Sequence, residues 1–407
     1  MTAPAEAAEA VEVLRTTTAV RSRSALLLER ARADDSPWFT VHDDAMQQAA
    51  DDVAALTRSR FPDLAIPPHS RWRHFGAGGV DRTGQLVARL GDVSARERAQ
   101  AMIDLTVISV LLDAGAGADW GFFEDGVRYH RSEGLAVASW HGFVRGAFSS
   151  DPDRPLQVDA NGLCALTVED LAAVLQVGPT NPLVGLQGRV ALMRSLGDAL
   201  AGQPGVFGPL GRPGALFDAS SASSGVVHAH DLLVHLLTSL SRIWPSDNVI
   251  GDEPLGDCWR HAAVAGPGPT AGWLPLHKLS QWLTYSLIEP LQWAGVTVTG
   301  IESLTGLPEY RNGGLLLDTG VLRLRDPDVA DKSWTPADEL VVEWRGLTVA
   351  LLDEIAPLVR ARLGVDEAAL PLACVLEGGT WAAGRASAQR LRGGLPPLNV
   401  VSDGTVF

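Results

Sequence analysis

Apolar residues recur at helical spacing along most of this chain and alternate at strand spacing almost nowhere. Residues 4–33 predict a helix, with Val11, Leu14, Ala25, Leu26 and Leu28 partly in period. Residues 41–58 predict a second, opened by Thr40 with Asp43 three residues on, a capping-box spacing. Ser94 and Glu97 repeat that signal before a helix over about residues 95–113, with Met102, Leu105, Val107, Ile108, Leu111 and Leu112 as its apolar face and Gly115 and Gly117 as its stop. Further helices are expected over 132–148, from Thr167 and Asp170 to Gln176, within 181–200, and over 226–243, where Trp244-Pro245 ends the period. Thr335, Pro336 and Asp338 open a helix running to Leu363, with a kink at Pro357 and Gly364 as its stop. Residues 376–381 lie on another helix, and strands are expected only near 296–299 and at the chain end. The fold class predicted is mainly α and multi-helical.

Residues 277–324 carry the densest set of polar groups between apolar anchors. After His277, Lys278, Trp282, Tyr285 and Glu289 fall at spacings of 4, 3 and 4, one face of a helix, while Leu279, Leu283, Leu287 and Leu291 line the face beside it. Pro290 and Gly295 are expected to end that helix. Glu309, Tyr310, Arg311 and Asn312 then crowd into a turn, and Leu315, Leu316, Leu317, Val321 and Leu322 return the chain to the core. Polar groups between such anchors are held rigidly, as a binding or catalytic site requires. The chain has 33 Lys and Arg, and only Lys278 and Lys332 are lysines. Lys278 is therefore read either as a site that needs a compact ammonium or as a surface lysine lying along an apolar face.

Composition narrows the function classes. Forty-six per cent apolar and 20% charged residues in 407 describe a globular chain with room for one large or two medium domains. A net charge of −15 argues against a nucleic-acid partner or an anionic membrane surface. Cys164, Cys258 and Cys374 lie far apart, which fits a reducing compartment and no zinc knuckle. The acidic, alanine-rich start is unlike a signal peptide, and no apolar run is long enough to span a bilayer, so a cytoplasmic protein is expected.

Several other clusters are candidates for chemistry. The glycine-rich loop at 72–82 lacks the ending of a P-loop, and His74, Asp81 and Arg82 flank its glycines. Asp119 and Trp120 follow the glycines after the 95–113 helix and either line a pocket or sit in an ordinary loop. His228, Asp231 and His235 share a face at helical pitch and form the one metal-like set, with a helix–helix interface as the alternative. Glu343 lies in an apolar run and reads as solvent-facing or as a buried acid needing a partner such as Arg345 or a ligand hydroxyl. Residues 1–70 are expected as an N-terminal helical region and 71–407 as the main helical domain. Residues 202–225, rich in Gly, Pro and Ser, mark a candidate subdomain boundary.

The phrases FGAGGVDR, VISVLLDAGAGADW, RSEGLAVASW, NPLVGLQGR, HKLSQWLTYSLIEPL, LTGLPEYRNGGLLLDTGVL, LEGGTWAAGR and the closing SDGTVF resemble the uracil catabolism protein 4 family, from about residue 21 onward. That resemblance implies a role in pyrimidine degradation, where a ribosylurea-type intermediate is cleaved to urea and a sugar. A more distant similarity, in the order of lysine helix, acid-Tyr-Arg turn and two acid-bearing helices, is to queuosine-nucleotide N-glycosylases. It implies a DNA-glycosylase-like helical domain after an N-terminal extension. The matching positions are Lys278, Glu309-Tyr310-Arg311, Glu343, and Glu377 with Trp381. The sequence departs from that pattern at Glu309, where those enzymes have Asp, and at Gly378, Gly379, Ala382 and Ala383, where they are bulkier.

With that chemistry, Glu309 and Lys278 are the expected catalytic pair, Glu309 stabilising positive charge at the anomeric carbon. The expected substrate contacts are Tyr310, Arg311, Asn312, Trp282, Tyr285, His277, Glu343, Glu377, Trp381, Asp119, Trp120 and His74. The expected substrate is a small nucleoside- or nucleotide-derived molecule, with no cofactor, no nucleic acid and no membrane. A pathway-enzyme partner or a homo-oligomer stays open. Two alternatives compete: a metal-dependent amidohydrolase acting on a ureido intermediate through His228, Asp231 and His235, and a non-catalytic nucleotide-binding partner of another pathway enzyme.

Overall fold

A computed structural model describes residues 4–221, 225–244 and 247–401. Pro245 and the closing residues 402–407 lie outside the described residues. The fold is mainly α-helical, and its short strands form only two-stranded pairs among the described residues. No helix among them is long and apolar enough to cross a membrane.

The chain clusters into two units. The first comprises described residues 4–69, 247–281 and 300–401. Its centre is the helix Glu339–Leu363, buried at every residue over 340–352. A helix buried all round must be wrapped, and Thr17–Arg32 and Asp43–Arg60 pack on it. Gly346 is where one of them comes close, since a Cβ there would lie 3.0 Å from the Leu27 and Leu274 side chains. The N-terminal helix Pro4–Leu14 buries Ala7, Ala10, Val11 and Leu14 against Ile250, Leu255, Cys258 and Trp273. Residues 4–69 thus share a core with later segments.

The second unit comprises described residues 70–244 and 282–299. Its central helix, Ala95–Leu111, opens with the Ser94–Glu97 capping box. It is buried on all sides through residues 101–112. Arg131–Val144 and Leu186–Ala201 pack on it. The expected boundary at 202–225 falls inside this unit, where residues 204–221 form short helices.

Several local expectations differ from the structure for physical reasons. Residues 4–33 form two helices, because Thr16 turns extended and caps the second through Ala19 N at 3.1 Å. Thr40 does not cap the next helix. It pairs with Arg323 in the antiparallel ladder of Phe39–Val41 with Leu322–Leu324, and the helix begins at Asp43. Thr335 and Asp338 do bond as a capping pair, with Thr335 N to Asp338 Oδ2 at 2.6 Å, but the helix begins only at Glu339.

The helix Lys278–Trp293 runs through Pro290 instead of ending there, and every residue over 278–291 is buried. A proline has no N–H for the carbonyl four residues back. That carbonyl, Ser286 O, takes a hydrogen bond from Trp72 Nε1 at 3.0 Å.

Candidate active site

Asp257 organises the start of the Lys278–Trp293 helix. His277 is left-handed, with φ +49°, an uncommon state for a residue with a side chain. This turn brings successive N–H groups onto one acid. Leu276 N and His277 N both donate to Asp257 O at 3.0 Å, and Lys278 N donates to Asp257 Oδ2 at 2.8 Å. Arg345 clamps the same carboxylate with two parallel bonds, 2.8 and 2.7 Å. Burial alone would raise the Asp257 carboxyl, but the Arg345 charge and the carboxylate's hydrogen bonds from Arg345, Trp259 Nε1 and Lys278 N together hold it well below the usual carboxylate range. His277 itself is buried and donates from Nε2 to Leu14 O at 2.9 Å, and burial lowers its pKa.

Glu309 stands at the start of another helix, Tyr310–Asp318. It is the N-cap: Oε2 accepts from Arg311 N and Oε1 from Asn312 N, each at 2.6 Å. Two opposing influences act on its carboxyl. Burial raises the pKa and is the largest, while the two backbone N–H groups and the charges of Arg311 and Lys278 pull it down; the net direction is upward. Lys278 is therefore near enough to favour the charged form of Glu309. The Asp257–Arg345 pair ties these two segments together, because Arg345 Nε also reaches Pro308 O, the residue before Glu309, at 3.4 Å.

Around this pair, the Arg311 guanidinium lies over the Tyr310 ring at 4.5 Å and its Nη1 reaches Gly394 O at 3.4 Å. Asn312 is buried, with Nδ2 donating to Leu307 O at 3.2 Å. The helix Trp381–Arg392 packs directly on this helix, and a Cβ at Gly384 would run into Arg311 O. Just before it, residues Leu376–Thr380 make a π-helical turn, a form that recurs at functional sites. Within that turn Glu377 faces His69 Nδ1 at 2.8 Å and Arg60 Nη2 at 3.2 Å. Arg60 also donates to the turn's carbonyls, Glu377 O and, at 2.9 Å, Gly378 O. Trp381 has its ring 6.1 Å from that of His69. Gly378 and Gly379 have a packing reason: Thr57 and Val53 of the Asp43–Arg60 helix stand where their side chains would be.

Glu343 sits elsewhere in the same unit. It is fully buried, accepts from Ser36 Oγ, and faces His261 Nε2 at 3.0 Å. Ala263 N donates to His261 Nδ1 at 3.1 Å, so Nε2 carries the proton toward Glu343. The partner of Glu343 is thus not Arg345, which is committed to Asp257.

The remaining expected contacts belong to the second unit. Trp282 has its ring 5.7 Å from His74, with the Arg71 guanidinium 5.4 Å over it. Tyr285 is fully buried. Asp119 and Trp120 part company: Asp119 is exposed, and Trp120 is buried with Nε1 donating to Leu175 O at 3.0 Å. The metal-like set does not assemble. His228 lies on the strand Val226–His228, not on the helix Ala229–Leu240 with Asp231 and His235. No group of three His, Cys, Asp or Glu residues among those described could hold a metal ion.

Asp257 and His69 carried no sequence signal, each being a lone polar residue without spacing to its partner. Arg345 did carry one, because a charge inside the apolar run at 340–352 requires an opposite charge.

In this mainly α-helical chain Glu309 thus stands at a helix start within reach of the Lys278 charge. The chain belongs to the family described as protein of unknown function DUF1688, whose model matches residues 13–407. It is 40% identical over 397 residues to Protein urg3 of Schizosaccharomyces pombe, covering 95% of this chain and 96% of that one. It is also 40% identical over 378 residues to Uracil catabolism protein 4 of Lachancea kluyveri, covering 84% and 85%.

Proposed function

We propose that this protein acts in uracil catabolism as an N-ribosyl hydrolase, cleaving the glycosylic bond of a ribosylurea-type intermediate to urea and a ribose product. The name of the Lachancea kluyveri relative supports the pathway. The observation that carries the reaction is the Glu309 carboxyl, which caps a helix start and feels the Lys278 charge.

Breaking the bond between the anomeric carbon and nitrogen leaves the electron pair on the departing urea and positive charge on the sugar. A carboxylate beside that carbon stabilises the charge and takes a proton from the attacking water. Each Glu309 oxygen accepts one backbone N–H, leaving lone pairs for water or substrate. Its raised pKa makes it a better base than an exposed glutamate. The Lys278 ammonium gives the leaving nitrogen its proton, so water and ribosylurea become ribose and urea in balance. Arg311, Tyr310 and Trp381 surround the sugar or its phosphate, and the Asp257–Arg345 pair holds the two catalytic segments in register.

The test is urea release from ribosylurea, with and without a 5′-phosphate, by the parent and by Glu309→Gln. The variant should lose about 10²-fold or more in turnover. Equal release by both would end the assignment.

A further inference from the structure

Asn312 is 1% exposed, one turn into the helix that Glu309 caps. Two of its polar groups are set by the protein. Its backbone N–H is taken by Glu309 Oε1 at 2.6 Å. Its side-chain nitrogen donates to Leu307 O at 3.2 Å, and because a carbonyl only accepts, that bond fixes which way the amide faces. The side-chain oxygen is then left buried, with no donor among the described residues. A buried acceptor without a donor opposes folding, and such an atom in a native protein calls for an explanation.

We propose that Asn312 Oδ1 accepts a hydrogen bond from an N–H of the bound substrate, so that the site selects a ureido or amide nitrogen carrying hydrogen. The assignment rests on the ribosylurea reading above and adds to it the group that recognises the leaving urea. The neighbouring groups agree in chemistry. Lys278 is only a donor and suits the lone pair of the leaving nitrogen, whereas an N–H needs an acceptor in a fixed position. A phosphate or carboxylate offers Oδ1 no hydrogen.

The experiment is calorimetric binding of carbocyclic ribosylurea, in which CH₂ replaces the ring oxygen so that the bond is not cleaved. It is run beside the analogue methylated at every ureido nitrogen, on the parent and on Asn312→Leu. The parent should bind the first compound about 10-fold or more tightly than the methylated one. Asn312→Leu should lose most of that preference, because a hydrogen bond removed from either side is lost once. The comparison of two ligands on the parent needs no variant to fold. Equal binding of both by the parent, or the same preference surviving in Asn312→Leu, would overturn the role of Asn312 and leave the ribosylurea reading standing. Binding of neither compound would overturn that reading and this assignment with it.

Discussion

Glu309 is pulled in two directions by its position. Burial favours the neutral acid, and a helix N-terminus with a lysine nearby favours the anion. If the anion is the working form, activity falls as pH drops through this raised pKa, placing the acid limb of kcat/KM above the usual glutamate range. Removing the Lys278 charge takes away a downward influence. The limb of Lys278→Met should therefore move to higher pH, whatever its height, and a limb at the parent's position would separate Lys278 from Glu309. Both residues were legible in the sequence, one as a rare lysine and the other as an acid among apolar anchors. Asp257 was not, because the contacts that matter join it to Lys278, 21 residues on, and Arg345, 88 residues on.

At the scale of elements, the Lys278–Trp293 helix shows how a local rule was overridden. Pro290 signals an end, yet Trp72 Nε1 supplies the donor that Ser286 O would otherwise lack. Trp72→Phe should cost about 1–3 kcal/mol beyond its lost packing, because it leaves that carbonyl buried and unpaired. In a Pro290→Ala background the restored backbone N–H can take its place, so the same change should cost less. Guanidinium denaturation of the four proteins reads the difference, and equal costs in both backgrounds would refute this account of how the helix passes Pro290. The capping boxes at Ser94 and Thr167 were legible because they are complete within four residues. The end at Pro290 was misread because its compensation comes from more than 200 residues away. The glycines at 378 and 379 looked like an altered site and prove to be the seat of the Asp43–Arg60 helix.

At the scale of the whole molecule, each unit is built on a helix buried on every side, and the chain passes between the units repeatedly, once inside the Lys278–Trp293 helix. Composition marks loops, so it pointed to 202–225 and could not show a crossing within a helix. Buried charge in the second unit has a measurable consequence for the fold. The Asp104 carboxyl is raised to about 6: burial outweighs Arg212 and the N–H groups of Gly214 and Val158. The unfolded chain releases that proton at an ordinary aspartate pKa, near 3.8. Between these values the folded state holds more protons, so this group makes stability fall as pH rises from about 4 to about 6. Asp104→Asn should flatten that part of the stability profile, measured by guanidinium denaturation at several pH values. An unchanged slope would mean that Asp104 titrates normally.

The most direct measurement is urea release from purified protein, read through urease, with ribosylurea and its 5′-phosphate as substrates and Glu309→Gln as control. The account predicts urea from the parent on at least one of them and a loss of about 10²-fold or more in the variant. A folded parent that releases no urea from either compound, or a variant as active as the parent, would contradict it.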